Sequence, residues 1–496
     1  TAGDRLEAGG IGAAGYADGV AVYLALALGR TLDYHNALCT WRSDPKNEGV
    51  GHLFARQTVS MVWDFCEGNP LSASSGNVAD AFNWTAGVVD RLPAGQAGLV
   101  SQGDAARRPY GGSVVSTDPP YYDNVGYADL SDFFYVWLRR TLASELPNGL
   151  ATVLTPKADE LVADPFRHGG AAQAEAFFED GFERVFAAIR AQTPTDFPIT
   201  VFYAFKQAAT NETGTASTGW QTLLEGMLRS GWEVTATWPM RTELGNRTRS
   251  IDSNALASSI VLACRPRPDS AEVLNRRAFI AALKSDLPNA LSALQQGSIA
   301  PVDLAQAAIG PGMSVFSRYA RVVEADGSDM SVRTALALIN QVLDEVLSAQ
   351  EGDFDADTRF CVKWFSQYGW NEGAWGEADV LARATNTSVD GVVKGGVFRA
   401  AAGKAALLGP DDLDPLWDPD TDTRVSDWEV AARLAKALAE DGVPRAADLM
   451  ARCRTRVDMD TVKELAYLLY SLAEKKNWSQ TALLFNSLGT SWSDIE

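Results

Sequence analysis

Apolar residues in the first part of the chain recur every three to four positions, which is the period of an α-helix. The pattern predicts three helices, over Tyr16–Trp41, His52–Phe65 and Val78–Leu92. Small polar residues from Ser72 to Gly76 are suited to capping the third of them. Residues 1–98 are therefore expected to form a helical lead-in without strands.

From residue 99 to residue 268, β-branched runs alternate with helical stretches, which is typical of an open α/β sheet. The predicted strands are Ser113–Thr117, Ile199–Phe205, Val234–Met240 and Ser259–Cys264. The predicted helices are Tyr127–Leu142, Ala171–Ala191 and Trp220–Arg229. No helix separates the last two strands. We therefore expect half or more of a doubly wound sheet that ends in a β-hairpin.

Strand signals fade after residue 268, and helical patterns dominate the rest of the chain. The predicted helices are Ala271–Leu283, Val332–Ala349, Val425–Glu440 and Met459–Lys475. Residues 269–496 are expected to form a mainly α accessory domain, with the acidic loop Asp411–Asp422 as a candidate internal boundary. The fold class expected for the whole chain is α/β.

The composition is that of a globular protein, with 46% hydrophobic and 21% charged residues among 496. A net charge of −20 argues against indiscriminate binding to polyanions. Residues 301–496 contain 31 acidic and 19 basic residues, so most of this charge lies near the C-terminus. Residues 101–300, with 22 acidic and 18 basic residues, can still form a local basic face.

No segment predicts a membrane span or a secretion signal. The apolar stretch Val20–Leu28 is roughly half as long as a bilayer span, and no charged, then apolar, then small pattern opens the chain. The protein is therefore expected to be soluble and cytoplasmic. Because the sequence begins with Thr1 rather than methionine, we expect a processed or truncated product.

The spacing of cysteine and histidine argues against metal chemistry and against a hydrolytic triad. The five cysteines form no Cys-x-x-Cys pair, so reduced, mostly buried thiols are expected rather than a zinc ribbon or disulfides. The three histidines share no motif spacing, which disfavours a histidine-based metal site or a Ser-His-Asp triad. No metal is expected.

The run Thr117-Asp118-Pro119-Pro120-Tyr121 begins at the carboxyl end of the first predicted strand, where open α/β sheets place their ligands. An exocyclic amine on a nucleobase is a poor nucleophile because its lone pair is delocalised into the ring. Two acceptors that hold both amino hydrogens localise the lone pair and prepare the nitrogen for attack on a methylsulfonium. The motif carries the residue types that amine methylation requires.

Each residue of the motif has its own task in this chemistry. The Asp118 carboxylate and the Pro119 carbonyl are the two acceptors. Pro119 and Pro120 fix the backbone and bring no competing N–H donor. Tyr121 offers a flat face on which an extruded base can stack. The competing structural interpretation is a Pro-Pro turn in which Asp118 caps a backbone N–H and Tyr121 packs in the core.

The motif Asp118–Tyr121 resembles the catalytic motif of amino-methyltransferases that modify adenine N6 or cytosine N4. The longer run Asp118–Arg140 resembles the large adenine-specific DNA methylases that carry an upstream zinc-ribbon insert. The similarity continues through Ala307–Gly312 and Glu351–Arg359. The resemblance implies a Rossmann-like methyltransferase sheet, S-adenosyl-L-methionine as the methyl donor and DNA as the substrate.

The resemblance also assigns site residues. The residues that take catalytic roles are Asp118, Pro119, Pro120 and Tyr121. The residues expected beside the substrate are Tyr122, Asp123 and Asn124. Thr117 and Asp118 are expected to contact the cofactor.

Arginines in the loop between the last two predicted strands are further candidates for contacting phosphates or the target strand. They are Arg241, Arg247 and Arg249, of which Arg247 is assigned to substrate binding. A solvated surface loop is the alternative interpretation. Arg139 and Arg140 end a predicted helix, where they complement its dipole and could also face DNA.

The Gly-rich turn that holds the cofactor in this family precedes both the zinc ribbon and the catalytic motif. Residues Gly10–Gly15 fit the pattern Gly-x-Gly-x-x-Gly, but they follow Asp4–Ala8 rather than a strand. They are therefore interpreted as a flexible lead into the first helix. The zinc ribbon has no counterpart either, so the chain is expected to lack the cofactor loop.

The segment Asp418–Glu429 has acidic residues at positions 1, 3, 5 and 12 of a calcium-binding loop, but Thr423 stands where glycine is needed. Ser426 and Glu429 also fit a capping box. The start of a helix is therefore the preferred interpretation.

Related activities stay open because the same acceptors serve any conjugated amine. They are cytosine-N4 methylation and methylation of an RNA adenine. Cytosine-C5 methylation is disfavoured, since it needs a thiolate nucleophile and the sequence has no Pro-Cys pair. From a different class, the chain could be a non-catalytic DNA-binding or scaffold subunit with a methylase-like fold. The C-terminal helical domain is the candidate surface for partner proteins.

Overall fold

The structure is a computed structural model of the 496-residue chain. It describes residues 3–496 except 11, 44–47, 56–57, 75, 94, 96–97, 123–124, 204–217, 242–257, 298, 350–351 and 353. The fold is mixed α/β, with many helices and small sheets. No described helix is both long and apolar enough to cross a membrane. The residues form two contact-dense units, 1–109 with 120–188 and 110–119 with 189–496. The three-domain division made from the sequence stays a prediction.

Helices form most of the first unit. They are α1 (Ala13–Leu32), α2 (Val78–Val89), α3 (Tyr127–Leu142), the short α4 (Pro165–His168) and most of α5 (Ala171–Gln192). A two-stranded antiparallel ribbon pairs β1 (Trp41–Arg42) with β2 (Gly49–Val50). Helix α1 packs against both α2 and α3. The prediction of a strand-free lead-in is therefore wrong.

The first helix ends earlier than the apolar pattern predicts. The Asn36 side chain donates to the Leu32 carbonyl at 2.8 Å and accepts from the Leu38 N–H at 2.9 Å. This local hydrogen bonding competes with further helical turns and releases the chain toward β1.

The helix predicted over His52–Phe65 is also wrong. The described residues of this stretch form only a 3-10 turn, Leu53–Ala55. Two backbone N–H groups of the turn donate to Asp33, one to its carbonyl and one to its carboxylate. These tertiary hydrogen bonds replace the helical ones. Helix α2 is present as predicted, but its cap is Asn77 rather than a residue of the preceding serine-rich run.

Four strands build the main sheet of the second unit. They are β3 (Ser116–Thr117), β4 (Ile199–Tyr203), β5 (Trp232–Arg241) and β6 (Ser258–Pro266). Their order is β3-β4-β6-β5, with β3 parallel to β4 and β6 antiparallel to both of its neighbours. Strands β3, β4 and β5 therefore run in one direction. The predicted order of strands and helices is confirmed, including the final hairpin and a helix α6 (Thr218–Arg229) before β5.

A second, two-stranded parallel sheet follows, made of β7 (Val273–Asn275) and β8 (Arg321–Val323). The helix predicted from Ala271 begins only at Arg276, because residues 273–275 are engaged in this pairing. The helices of this part are α7 (Arg276–Gln296), α8 (Pro301–Ser317) and α9 (Val332–Ala349). Helix α9 has the bounds that its apolar spacing predicts.

Two glycines of the run Ala307–Gly312 serve helix packing. A Cβ added to Gly310 on α8 would lie 2.1 Å from the Thr237 Oγ1 on β5. A Cβ added to Gly312 would lie 2.5 Å from the Ile339 Cγ2 on α9. Glycine therefore permits α8 to approach the sheet and α9 closely.

Residues 354–495 contribute to one hydrophobic core. Its helices are α10 (Ala356–Tyr368), α11 (Trp375–Ala384), α12 (Val389–Lys394), α13 (Asp427–Asp441), α14 (Val443–Cys453), α15 (Met459–Lys475), α16 (Ser479–Thr490) and α17 (Trp492–Ile495). Its strands are β9 (Gly373–Ala374), β10 (Phe398–Ala401) and β11 (Lys404–Leu407), in the order β10-β11-β9. The sequence pattern missed this sheet because its strands are two to four residues long.

The calcium-like loop is tied to α14 by arginine side chains. Arg452 pairs with both Asp418 and Asp420. The Ser426 side chain caps α13 by accepting from the Glu429 N–H, as predicted. The Glu429 carboxylate accepts from Arg433 and does not complete the capping box. No cluster of metal-binding side chains exists among the residues that the structure describes.

Two carboxyl groups face each other where α10 and α13 begin. Asp355 caps α10 by accepting from the N–H groups of Asp357 and Thr358, each at 2.9 Å, and it accepts from the Asp427 N–H at 3.0 Å. Burial, together with the negative charge of Asp355, raises the pKa of Asp427 to about 7. The folded protein therefore keeps a proton here at pH values where an unfolded aspartate is ionised.

We expect the free energy of unfolding of this part of the chain to fall as the pH rises from about 5 to about 8. The folded-state pKa of Asp427 lies above the unfolded value, so the stabilising proton is held at low pH and lost as the pH passes through about 7. Asp427→Asn cannot ionise and should reduce this dependence in urea unfolding measured across the range, leaving the part due to Glu429, whose pKa burial also raises to about 7. Asp411→Asn, at an exposed carboxylate, serves as the control. An Asp427→Asn protein with the wild-type dependence would contradict the assignment.

Candidate functional site

The predicted catalytic motif follows the carboxyl end of β3. In the register of the parallel pair, Ser116 lies opposite Thr200 and Thr117 opposite Val201. The Thr200 hydroxyl donates to the Ser116 hydroxyl at 2.9 Å, and the Thr200 N–H donates to the Val115 carbonyl at 3.0 Å. The strand is shorter than the predicted Ser113–Thr117, but Asp118 leaves the sheet at the end where the sequence places it.

Asp118 presents its side chain to solvent immediately after the strand. No hydrogen bond to its carboxylate comes from any residue that the structure describes. Surrounding atoms still bury the group in part, which raises the pKa of the carboxyl above its ordinary value. Pro119 is buried behind it. Asp118 therefore does not cap a backbone N–H of the described residues, as the alternative interpretation required. Its carboxylate is available as an acceptor for a ligand.

The tyrosines after the prolines have different surroundings. Tyr121 is half-buried. Tyr122 packs edge-on against the fully buried Phe178 of α5, with ring centroids 5.1 Å apart. The Tyr122 carbonyl accepts from the Ala163 N–H at 2.7 Å. Tyr122, a predicted substrate neighbour, thus anchors the chain after the motif through both its ring and its backbone.

A charged network around α4 holds the beginning of α3. The Glu160 carboxylate accepts from the Ala128 N–H at 2.8 Å and from Arg167 at 2.6 Å. Arg167 also donates to Asp129 at 2.5 Å and pairs with Asp164 at 3.2 Å. These contacts tie the start of α3 to α4 and to the loop before it, whose Ala163 N–H donates to the Tyr122 carbonyl. The sequence pattern missed them because the partners lie up to 38 positions apart and follow no motif spacing.

Three predicted site residues cannot be placed. Asp123, Asn124 and Arg247 lie outside the described residues, as does Arg249. The backbone of Arg241 ends β5, but its side chain also lies outside the described part. Arg139 and Arg140 occupy the last turn of α3, where they complement the helix dipole as predicted.

The Gly10–Gly15 segment enters α1 from a 3-10 turn rather than from a strand. A Cβ on Gly10 would lie 1.9 Å from the Asp4 carbonyl oxygen, and a Cβ on Gly15 would lie 2.1 Å from the Gly10 carbonyl oxygen. Close backbone packing within this turn accounts for both glycines. The geometry agrees with the interpretation as a lead into the first helix, although the turn is tightly packed.

The cysteines are free thiols, and four of the five are buried, as predicted. They are Cys39, Cys264, Cys361 and Cys453, with Cys66 half-buried.

Comparison with known proteins adds one match. A family model described as a domain of unknown function (DUF8807) matches residues 355–496. This stretch nearly coincides with the core at 354–495 and leaves out the Asp-Pro-Pro-Tyr motif. No curated protein and no solved structure matches the chain. The match covers less than a third of the sequence and brings no function with it.

Proposed function

We propose that this chain carries the target-amine half of an S-adenosylmethionine-dependent methyltransferase that modifies adenine N6 in DNA. The observation that carries the proposal is the placement of Asp118. Its carboxylate is solvent-accessible, accepts no hydrogen bond from the described residues and stands directly after a parallel strand, followed by two prolines and a tyrosine. A carboxylate with these neighbours suits an amine that must be held by both hydrogens.

In this proposal the Asp118 carboxylate and the Pro119 carbonyl each accept one amino hydrogen of the target base. This draws the nitrogen lone pair out of the ring and directs it at the electrophile. S-adenosylmethionine, when bound, would supply the methyl group: its S–CH3 bond would break as the N–CH3 bond forms, and S-adenosylhomocysteine would be the leaving group. After transfer, the amine proton leaves by way of Asp118 or solvent. The base is held outside the duplex by stacking on Tyr121.

The strand arrangement supports a Rossmann-like methyltransferase sheet as the finer description of the fold. Three strands run in parallel, and the last strand returns antiparallel between the second and the third. This is compatible with the carboxyl-terminal half of a doubly wound sheet that ends in a hairpin. Asp118 then stands at the carboxyl edge of the parallel strands, which is the usual ligand edge.

The described residues fit the target amine better than the cofactor. Thr117 and Asp118 can contact the methionine end. No described strand is followed by a Gly-rich turn that could enclose the adenosine. We therefore assign the chain the amine-holding residues and leave the adenosine contacts unassigned.

The test is to incubate the full-length gene product with labelled S-adenosylmethionine and DNA, then digest the DNA and identify the modified base. N6-methyladenine supports the proposal. N4-methylcytosine would show that the same acceptors serve cytosine, and label in RNA alone would move the substrate to RNA. Absence of any transfer, with DNA still bound, would indicate a non-catalytic subunit.

Stacking on Tyr121 leads to a graded prediction. Tyr121→Ala removes the ring and should weaken the complex with an extruded base by about 1–3 kcal/mol. Tyr121→Phe keeps the ring and should bind nearly as well as the wild type. Affinity for a duplex with an abasic site opposite the target, which favours extrusion, is the measurement. If Phe is as damaging as Ala, the hydroxyl carries the effect and the stacking role is wrong.

A further inference from the structure

The segment from α10 to β11 has an order of helices and strands that plays no part in the proposed methyl transfer. Its elements follow in the order α10, β9, α11, α12, β10, β11, and the last strand pairs antiparallel with both other strands. Helices α11 and α12 are joined by the four residues 385–388. Two helices joined by so short a turn and followed by a β-hairpin form a winged helix-turn-helix.

Local residues explain why the chain folds this way. Asn386 adopts a left-handed conformation, with φ of 65°, which lets the chain reverse between the helices. The Ser388 side chain then caps α12 by accepting from the Gly391 N–H at 3.1 Å. In the hairpin, Ala402 and Gly403 both have positive φ, as a two-residue turn between right-twisted strands requires. The inner faces of all six elements except β9 contribute to the common core.

Helix α12 has one buried face and one open face. Val389, Gly391 and Val392 are buried. The exposed residues are Asp390, Val393 and Lys394. These three share one side of the helix because they are spaced by three and four positions. The open face thus combines a cation, an acid and an apolar group that can contact a thymine methyl.

The hairpin next to α12 carries two exposed cations. The side chains of Arg399 and Lys404 are 60% and 70% exposed, and both pair with Glu372. Exposed ion pairs of this kind contribute little to stability, so a phosphate can replace Glu372 at small cost. Two other acids of this segment are engaged elsewhere, since Asp379 pairs with Arg383 and Glu377 accepts from the Tyr368 hydroxyl. Asp390 stays exposed on the open face of α12.

We propose that this winged helix-turn-helix binds double-stranded DNA, with α12 in the major groove and the β10–β11 hairpin against the flanking phosphates. Duplex DNA is favoured over a protein partner because Lys394 on α12 and Arg399 and Lys404 on the adjoining hairpin are exposed cations, which suit a phosphate backbone. The open face of α12 presents only Val393 as an apolar contact, which is little for a protein interface. The module is separate from the methyl-transfer site, so its test does not need methyl-transfer activity.

Fluorescence anisotropy with a labelled mixed-sequence duplex, titrated with the whole chain at several salt concentrations, tests the proposal. Replacing Lys394, Arg399 and Lys404 together by glutamine should weaken binding about tenfold or more. It should also reduce the slope of log affinity against log salt by about 3, or about 1 for each phosphate contact. Asp390→Asn removes a negative charge that faces the phosphates and should tighten binding.

The matched control replaces Lys284, Arg445 and Lys475 by glutamine, since each is an exposed cation in an ion pair elsewhere in the second unit. Circular dichroism and thermal unfolding verify that both triple variants fold. Equal losses in the two triple variants, or a wild-type chain that binds no duplex, would overturn the proposal. Light scattering tests whether this face is instead a protein interface. That is the conclusion if the wild type binds no duplex but self-associates, and if loss of Lys394, Arg399 and Lys404 abolishes the association.

Discussion

Replacing Asp118 by alanine is expected to abolish methyl transfer by the full-length gene product while the fold stays intact. The carboxylate is exposed at the end of β3 and accepts no hydrogen bond from the described residues, so its loss removes no structural contact seen there. In the proposed mechanism the carboxylate acts only on the target amine. Loss of one preorganised group at a reacting centre typically costs roughly 10²–10³-fold in rate, and a group that also orients the nucleophile should cost at least as much.

The measurement is the initial rate of label transfer from S-adenosylmethionine to DNA, together with thermal unfolding of each variant. Asp118→Asn keeps one acceptor oxygen at the same place and should retain some activity. Comparing it with Asp118→Ala separates the loss of the acceptor oxygen from the loss of the negative charge. Asp196→Ala, at an exposed aspartate just before β4, is the control and should leave the rate unchanged. Near-wild-type turnover by Asp118→Ala would refute the mechanism.

Long amphipathic elements were predictable from the sequence with good accuracy. Helices α3, α9 and α15 have the predicted bounds, because each presents a continuous apolar face over four turns or more. Elements that depend on distant partners were not predictable. The chain after His52 looks helical but hydrogen-bonds to Asp33, and β9 to β11 are too short to show a strand period.

The same distinction applies to the site. Asp118 and its prolines form a local motif that needs only a preceding strand, so their placement could be predicted. The network of Glu160 and Arg167 joins a loop, a short helix and the start of α3. No spacing rule connects these residues, and their role depends on tertiary packing that a sequence pattern does not record. The proposed winged helix-turn-helix was missed for a related reason, since it is recognised from strand pairing rather than from any motif.

The second large effect concerns the cofactor: we expect the 496-residue chain alone to bind S-adenosylmethionine weakly and to methylate no DNA. In a doubly wound sheet, the adenosine is held by a Gly-rich turn after one strand, where a helix N-terminus and backbone N–H groups approach the ligand, and by an acid that binds the ribose hydroxyls. The Gly10–Gly15 segment follows a 3-10 turn, and backbone packing accounts for Gly10 and Gly15. In the proposed function, Thr117 and Asp118 are the described residues assigned to the methionine end.

Loss of the adenosine and ribose contacts should weaken binding by roughly a thousandfold, which corresponds to about 4 kcal/mol. Calorimetric titration of the purified chain with S-adenosylmethionine measures this, with titration into buffer alone as the control. We expect no saturation in the micromolar range for the chain alone. Micromolar binding would mean that residues interpreted here as a helical entry, foremost Gly10–Gly15, rearrange to enclose the adenosine. Gly12→Ala should then reduce the affinity, because a Cβ would prevent the backbone of such a turn from approaching the ribose of the ligand closely.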